Sequence, residues 1–204
     1  MGSLPVHGAW IAAGAAFLLS LALTRLLISV APALGFSDHP GERKSHPRPT
    51  PLLGGAGIFA ATALVVLLAL RVHALPRNLP FLLIISLAAV TLGVMDDYLE
   101  LSPWPKVIGL VLIAALPALY LFLSRDVSWP HAVSLAAALF FFANAVNLFD
   151  NADGTCAATG STIMLLAWVA TGNAVALIAS AALAGFLVWN LPPARIFMGD
   201  AGSL

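Results

Sequence analysis

Long apolar segments alternate with short polar loops along the whole chain. Seven apolar segments can be delimited, at about residues 8–34, 53–71, 79–95, 105–124, 131–149, 156–172 and 173–191. Each is close to the roughly 20 apolar residues that an α-helix needs to cross a bilayer. The pattern therefore predicts an all-α fold, a polytopic transmembrane helical bundle of about seven spanning helices. The boundary between the last two is the least defined, because only TGNA separates them.

Composition agrees with a membrane protein. The chain is 61% hydrophobic and only 9% charged, whereas a soluble domain usually carries about 25% charged residues. The first segment is too long for a signal peptide and lacks a basic flank, so we expect it to be retained as a helix. The net charge of zero indicates no nucleic-acid partner. A single cysteine, Cys156, excludes an internal disulfide. We expect one integral membrane domain over residues 1–204.

Acidic residues are concentrated on one side of the predicted bundle. Eight of the nine fall in the loops after segments one, three, five and seven: Asp38, Glu42, Asp96, Asp97, Glu100, Asp150, Asp153 and Asp200. Only Asp126 falls on the other side. Five basic residues share the acid-rich side against three opposite, with Arg25 near the end of the first helix. The positive-inside rule then makes the acid-rich side cytoplasmic. Carboxylates gathered on one face favour a bound divalent cation.

Asp96 and Asp97 are adjacent in GVMDDYLEL, at the end of the third segment. Adjacent carboxylates raise each other's pKa or bind a cation. Two surface aspartates that simply end a helix are the alternative. A carboxylate is poorly placed at the negative C-terminal end of a helix dipole, however, and this unfavourable position indicates a function.

The stretch NAVNLFDNADG carries the most specific polar pattern. Asn144, Asn147, Asp150 and Asp153 recur at every third position, and on a helix each such step falls about 60° short of a full turn. Hydrogen bonds between membrane helices account for Asn144, but they do not account for two carboxylates. Polar groups this dense at the end of a membrane helix indicate a functional site.

The loop after the seventh segment, WNLPPARIFMGDAGS, contributes Asn190, Arg195 and Asp200. Gly199 and Gly202 flank the aspartate and let a backbone or a ligand approach it closely. A plain interfacial loop is the alternative, and this signal is weak by itself.

The first loop carries basic residues among four prolines: Arg43, Lys44, His46 and Arg48. The prolines stiffen the loop and keep it from becoming helical. Basic groups on a stiff loop suit phosphate, and contact with anionic lipid is about equally compatible with each residue.

Together these stretches resemble the polyprenyl-phosphate N-acetylhexosamine-1-phosphate transferases. The similarity runs through DHPGERKSHPRPTPLLGG, GVMDDYLELSPWPK, NAVNLFDNADG and NLPPARIFMGDAGS. It implies transfer of a sugar phosphate from a UDP-N-acetylhexosamine to undecaprenyl or another polyprenyl phosphate, with release of UMP, in cell-wall or surface-polysaccharide synthesis. The implied location is the bacterial inner membrane, with the active-site loops cytoplasmic. The form of the first loop looks more like the N-acetylglucosamine branch, with the phospho-N-acetylmuramoyl-pentapeptide branch as the alternative.

The resemblance also implies roles for individual residues. Asp96 and Asp97 would serve catalysis and the polyprenyl phosphate. Asn147 and Asp200 would hold Mg²⁺, or Mn²⁺ in its place. Substrate contacts would come from Lys44, His46, Arg48, Lys106, Asp150, Asp153 and Asn190. Such a metal suits the reaction, since phosphoryl transfer depends mainly on positioning and charge neutralisation. Besides the two substrates and the lipid bilayer, the expectation for partners leaves a homodimer of this chain open.

Two departures from the family pattern affect these expectations. Asn151 replaces the usual glycine between two aspartates, and asparagine is the next-best residue for a left-handed turn. Family members continue for several more helices with a histidine-bearing loop, so we expect an incomplete domain with very low activity alone. A non-catalytic truncated membrane protein and a transporter are the alternatives outside the enzyme class. A transporter would place its ionisable residues near mid-membrane in a repeated architecture, whereas here they lie at helix ends on one face. A CDP-alcohol phosphotransferase is a second enzyme alternative, but its D-G-x-x-A-R signature is missing.

Overall fold

The computed structural model describes residues 5–40, 48–70 and 78–204. Within these residues the chain forms seven apolar helices and one short C-terminal helix. They are α1 (Val6–Val30), α2 (Gly54–Leu70), α3 (Leu79–Leu99), α4 (Pro103–Leu123), α5 (Trp129–Phe149), α6 (Thr155–Thr171), α7 (Ala174–Asn190) and α8 (Asp200–Ser203). The predicted all-α, polytopic membrane fold is therefore confirmed, and each apolar segment of the sequence corresponds to one helix.

The helices differ in how easily they can span a bilayer. Four of those described, α1, α3, α4 and α5, are long and apolar enough to cross a membrane. The helices α2, α6 and α7 have 17 residues each, which gives a length of about 26 Å and the lower end of the spanning range. The boundary in TGNA is set by Asn173, which caps α7 by accepting a hydrogen bond from the Val175 N–H at 3.0 Å.

The centre of the bundle is the packing of α1 along α7. Ala9 and Ala13 of α1 form a buried cluster with Leu177 of α7. Further along both helices, a side chain at Gly185 would overlap the backbone carbonyl of Phe17. Small residues thus let the two backbones approach closely, as is usual where membrane helices pack without a hydrophobic driving force. Because the residue numbers of both helices increase from the first contact to the second, α1 and α7 run parallel.

The segment after α7 folds back against the start of α2. Strands β1 (Ser37–Asp38) and β2 (Thr50–Pro51) pair antiparallel, and the Phe197 N–H donates to the Pro51 carbonyl at 2.8 Å. The Gly54 and Gly55 N–H groups donate to the carbonyls of Phe197 and Met198. These bonds satisfy backbone donors at the first turn of α2, which have no partner within the helix. They also place α8 next to the C-terminal end of α3.

The α3–α4 and α4–α5 connections should lie on opposite sides of the membrane. Ser102 and Ser128 are exposed residues at the start of α4 and α5, respectively. In a Cys156→Ala background, we expect a cysteine at Ser102 to react with an impermeant thiol reagent only from the side that bears the acidic loops. A cysteine at Ser128 should react only from the other side. Labelling of both from one side would contradict the topology.

Candidate functional site

One cavity of about 570 Å³ lies at the end of the bundle where the acidic loops meet. Six residues singled out from the sequence line it: Asp96, Asp97, Asp150, Asp153, Asn190 and Asp200. They come from the end of α3, the α5–α6 loop, the end of α7 and the start of α8. The structure thus brings together residues that are more than 100 positions apart in the chain.

Lys106 compensates part of this negative charge. Its ammonium group lies 2.8 Å from a carboxylate oxygen of Asp96 and also forms a salt bridge with Asp200. The side chain reaches both carboxylates from the first turn of α4, which follows α3 after a short connection. Lys106 is not among the residues that line the cavity, but through these two salt bridges it joins α3, α4 and α8.

Asp97 holds the backbone of α8. One carboxylate oxygen accepts a hydrogen bond from the Asp200 N–H at 2.9 Å, and the other accepts from the Ala201 N–H at 3.2 Å. These are the donors that a helix leaves unpaired at its N-terminus. Close approach depends on Gly93 and Gly199, since a side chain at either would overlap α8 or the Asp97 carboxylate. The geometry therefore gives Asp97 a positioning role, beside the catalytic role implied by the resemblance.

Asn147 is hydrogen-bonded to Asp200, which lines the cavity, although Asn147 is not itself among the lining residues. The Asn147 amide donates from Nδ2 to Asp200 Oδ1 at 2.7 Å and to Ser203 Oγ at 2.8 Å. Burial opposes ionisation of Asp200, but its hydrogen-bonded neighbours Asp96, Lys106 and Asn147 outweigh burial, so its pKa lies below the usual value. With both amide hydrogens of Asn147 engaged, its Oδ1 is the atom left to accept from or coordinate a ligand.

Asp150 has the opposite electrostatic environment. Burial raises its pKa to about 7, and the charges of Asp200, Asp97 and Asp153 add to this effect. No hydrogen bond or ion pair of its carboxylate is found among residues 5–40, 48–70 and 78–204. A half-buried carboxylate surrounded by like charges favours either a proton or a nearby cation.

Asp153 and Asn190 line the cavity and hydrogen-bond to backbone groups of the loops around it. Asp153 accepts a hydrogen bond from the Ala194 N–H at 2.9 Å. The Asn190 side chain is only 3% exposed; it accepts from the Gly154 N–H and donates to the Ile196 carbonyl. These bonds tie the α5–α6 loop to the segment after α7. Asn190 lines the cavity, but its principal observed role is to fix the surrounding loops.

Two expectations for this region were wrong. The Asn144 amide donates to the Phe140 carbonyl of its own helix, because that carbonyl lies one turn back and within reach. Asn151 does not adopt a positive φ, and its side chain instead donates to the Leu148 carbonyl. The left-handed residue of the loop is Gly154, with φ of 76°.

The substrate contacts predicted for the basic residues of the first loop are not seen in the described part of the chain. Lys44 and His46 lie outside the described residues, so their proposed phosphate contacts stay predictions. Arg48 is exposed and is not among the residues that line the cavity. Its carbonyl accepts a hydrogen bond from Thr50 Oγ1 at 3.2 Å. Its predicted substrate contact also stays a prediction.

Sequence reasoning missed several residues of the cavity. Ser37, Asp38, Glu100 and Phe197 also line it. Asp38 and Glu100 were visible as members of the acid-rich side, but nothing in their local pattern separated them from surface charges. Ser203 was missed as a partner of Asn147; its position one turn after Asp200 is the signal that could have shown it.

The described residues contain no group of three or more His, Cys, Asp or Glu side chains arranged to hold a metal ion by themselves. Zinc-type sites, which need three or four protein ligands, are therefore not found in this part of the chain. Mg²⁺ has a different requirement, because it usually binds one or two carboxylates and completes its shell with water and substrate phosphate.

Comparison with known proteins adds an independent observation. The family model described as glycosyl transferase family 4 matches residues 79–204. A phospho-N-acetylmuramoyl-pentapeptide-transferase of Bacillus licheniformis is 32% identical over 92% of this chain and 68% of its own length. The proteins of that name from Bacillus subtilis and Bacillus mycoides are each 31% identical, over 92% and 97% of this chain and 68% and 72% of their own lengths. The names of these relatives match the phospho-N-acetylmuramoyl-pentapeptide branch. The form of the first loop had favoured the N-acetylglucosamine branch and left this one as the alternative.

Removal of the Asp97 carboxylate should loosen α8. Asp97→Ala leaves two N-terminal helix donors without their acceptor, which costs about 1–3 kcal/mol locally. We expect the amides of Asp200 and Ala201 to exchange with deuterium roughly tenfold or more faster. Glu100→Gln, at an exposed position on the same end of α3, should leave their exchange unchanged. Equal exchange in Asp97→Ala and the unaltered chain would show that the Asp97 carboxylate does not hold the N-terminus of α8.

A side chain at Gly93 should displace α8 altogether. Its Cβ would overlap the backbone of Asp200 and Ala201, which cannot move without breaking the Asp97 bonds. We expect Gly93→Ala to reduce the yield of monodisperse protein after detergent extraction and to increase exchange throughout residues 199–204. Gly14→Ala, where nothing lies within 4 Å, is the matched control. A Gly93→Ala protein with normal exchange would show that the contact is not tight.

Proposed function

The chain belongs to glycosyl transferase family 4, and on that premise we propose that it transfers a phospho-sugar from a UDP-N-acetylhexosamine to a polyprenyl phosphate. The bond between the two phosphates of UDP breaks, a new phosphate–oxygen bond to the lipid phosphate forms, and UMP leaves. The observation that carries the proposal is the convergence of Asp96, Asp150 and Asp200 on one cavity at the helix ends. A lipid phosphate can reach such a cavity from the membrane surface, and a nucleotide can reach it from the aqueous side.

Two donors are candidates. The names of the relatives favour UDP-N-acetylmuramoyl-pentapeptide, and that similarity extends over more than nine tenths of the chain. The form of the first loop favours UDP-N-acetylglucosamine, but it depends on one short segment. We place the pentapeptide donor first because its support extends over most of the chain, whereas the support for the other donor comes from one loop. The acceptor of the same reaction would be undecaprenyl phosphate, in a bacterial plasma membrane with the cavity on the cytoplasmic side.

We further propose a Mg²⁺ ion at the cavity, with Mn²⁺ as a substitute. The residues present fit this ion chemically: Asn147 Oδ1 is free of the bonds that Nδ2 makes, and Asp200 is kept ionised beside it. Asp150 supplies a further carboxylate. Its ionisation is disfavoured by burial and by the like charges of Asp97, Asp153 and Asp200, so a cation beside it would be stabilising. When bound, the ion would neutralise the diphosphate of the donor. Hard oxygen ligands of this kind suit Mg²⁺ better than a thiophilic metal.

The chain's own residues would act mainly by positioning. Lys106 lies between Asp96 and Asp200 and can exchange one of these partners for a phosphate oxygen. Asp96 would then be the carboxylate nearest the reacting phosphates, whereas Asp97 would hold α8 and with it Asp200. Asp153 and Asn190 would keep the α5–α6 loop in place. Such preorganised charges commonly supply the largest part of the rate enhancement in phosphoryl transfer.

Binding and turnover should be measured with membranes that contain the chain. The reaction would combine undecaprenyl phosphate, Mg²⁺ and either UDP-N-acetylmuramoyl-pentapeptide or UDP-N-acetylglucosamine, with UMP release as the readout. Calorimetry of each donor with and without Mg²⁺ gives a second readout that does not depend on turnover. Mg²⁺-dependent binding of one donor over the other would support the proposal and identify the sugar. Absence of donor binding under all metal conditions would contradict it.

Asp200→Asn should separate charge from shape at the proposed metal site. The substitution keeps the volume and removes a carboxylate that carries a salt bridge to Lys106. We expect a loss of about 10²–10³ in Mg²⁺-dependent turnover, with the amount of extracted protein unchanged. Asp126→Asn, at the opposite end of the bundle, should have no effect on turnover. Near-normal turnover of Asp200→Asn would show that Asp200 is not required.

A further inference from the structure

A cationic cluster lies outside the cavity, near the C-terminal ends of α1 and α7. The guanidinium carbon of Arg25 lies 5.9 Å from the ring centre of Trp189, and that of Arg195 lies 5.5 Å from it. We call Arg25, Trp189 and Arg195 the arginine–tryptophan cluster. None of the three lines the cavity, and the proposed reaction uses none of them.

The tryptophan ring is fixed by the surrounding structure. Its Nε1 donates a hydrogen bond to the Leu21 carbonyl at 3.0 Å, and Arg25 follows Leu21 by one helical turn on the same face of α1. On the other side, the Arg195 N–H donates to the Trp189 carbonyl at 2.9 Å. These bonds fix the ring and bring both arginines close to it, so that the two guanidinium groups lie beside the same tryptophan.

The two charges have no protein counter-ion in the described part of the chain. Arg25 donates a hydrogen bond to Ser29 Oγ at 3.1 Å, and neither guanidinium takes part in a salt bridge with a described residue. Both side chains are exposed. Arg25 lies five residues before the end of α1, about 8 Å below it along the helix axis. An arginine at this depth is unfavourable unless its charge reaches the interface and meets an anion there.

The neighbourhood of Arg25 indicates lipid as the source of that anion. Leu18 and Leu26, on the same helix, are 63% and 57% exposed. The guanidinium therefore lies on a helix that is apolar and long enough to span a membrane, and its exposed leucines suit contact with acyl chains. Tryptophan is enriched at the level of the lipid headgroups. A guanidinium binds phosphate through paired hydrogen bonds. A free phosphate would satisfy the charge but would gain nothing from the apolar surface beside it.

We propose that the arginine–tryptophan cluster binds the phosphate of an anionic phospholipid headgroup, on the same face of the membrane as the cavity. The bound headgroup would join α1 to the segment after α7. That segment also holds the α5–α6 loop, since the Ala194 N–H, next to Arg195, donates to Asp153. An anionic lipid would thus stabilise the loops around the cavity from outside.

Native mass spectrometry of the whole chain tests this proposal. The chain would be released from mixed micelles of phosphatidylglycerol and phosphatidylcholine, and the ratio of retained lipids measured. Each arginine near an anionic surface contributes about 1 kcal/mol, which corresponds to roughly fivefold in affinity. We expect Arg25→Gln and Arg195→Gln each to lower retention of phosphatidylglycerol about fivefold, and the double variant to lower it by more. Arg125→Gln, an exposed arginine at the opposite end of the bundle, is the charge-matched control and should retain the lipid.

Further variants keep the test decisive. If the double glutamine variant is not recovered as monodisperse protein, the Arg25→Lys and Arg195→Lys double variant preserves charge. It should lose several-fold of the preference, because lysine makes no paired bonds to phosphate. An equal loss in Arg125→Gln would show a general charge effect and overturn the proposal, as would unchanged retention in the cluster variants. Displacement of phosphatidylglycerol by an equal concentration of inorganic phosphate would also overturn it, by showing a phosphate site without lipid.

Discussion

The two hydrogen bonds from Asp97 to the backbone of α8 are the constraint on which the site depends. A helix of four residues cannot be stable by itself, because nucleation of the first turn is unfavourable and few bonds follow it. The Asp97 carboxylate supplies the missing acceptors from the last turn of α3. It thereby fixes where Asp200 lies, and Asp200 in turn fixes Lys106 and Asn147. A carboxylate at the unfavourable end of one helix dipole is stabilised at the favourable end of another.

Close packing around α8 makes this clamp possible. Gly93 on α3, Gly55 on α2 and Gly202 on α8 each meet backbone atoms of another element at distances that leave no space for a side chain. Glycine therefore serves here as a contact between helices more than as a flexible residue. Because three helices touch at backbone level, the carboxylates can be placed without long side chains, whose conformational entropy would oppose a fixed geometry.

The helices were predictable from the sequence, whereas the roles of the polar side chains within the site were only partly so. Apolar runs gave all seven long helices, because a bilayer imposes a minimum length and excludes charge. The same patterns showed that Asp97 lies at the unfavourable end of a helix dipole and that Asn190 is a polar residue at the end of the seventh apolar segment. They could not show that both bind backbone groups, since those partners lie about 100 positions away for Asp97 and 36 away for the Gly154 bond of Asn190. The turn expected at Asn151 failed for a local reason: its amide bonds back to α5, and Gly154 takes the left-handed conformation.

The distribution of charge would separate the two kinds of anion recognition proposed for this end of the bundle. At the cavity, carboxylates outnumber Lys106, so a phosphate can enter only with a cation or by taking over a partner of that lysine. At the arginine–tryptophan cluster the balance is reversed, and a phosphate needs no accompanying metal. Under the two proposals, lipid phosphate would be attracted to the arginine–tryptophan cluster and repelled from the cavity unless a divalent ion is present. A bulk phospholipid would then be excluded from the cavity by the same charges that the proposed metal-bound substrate would overcome.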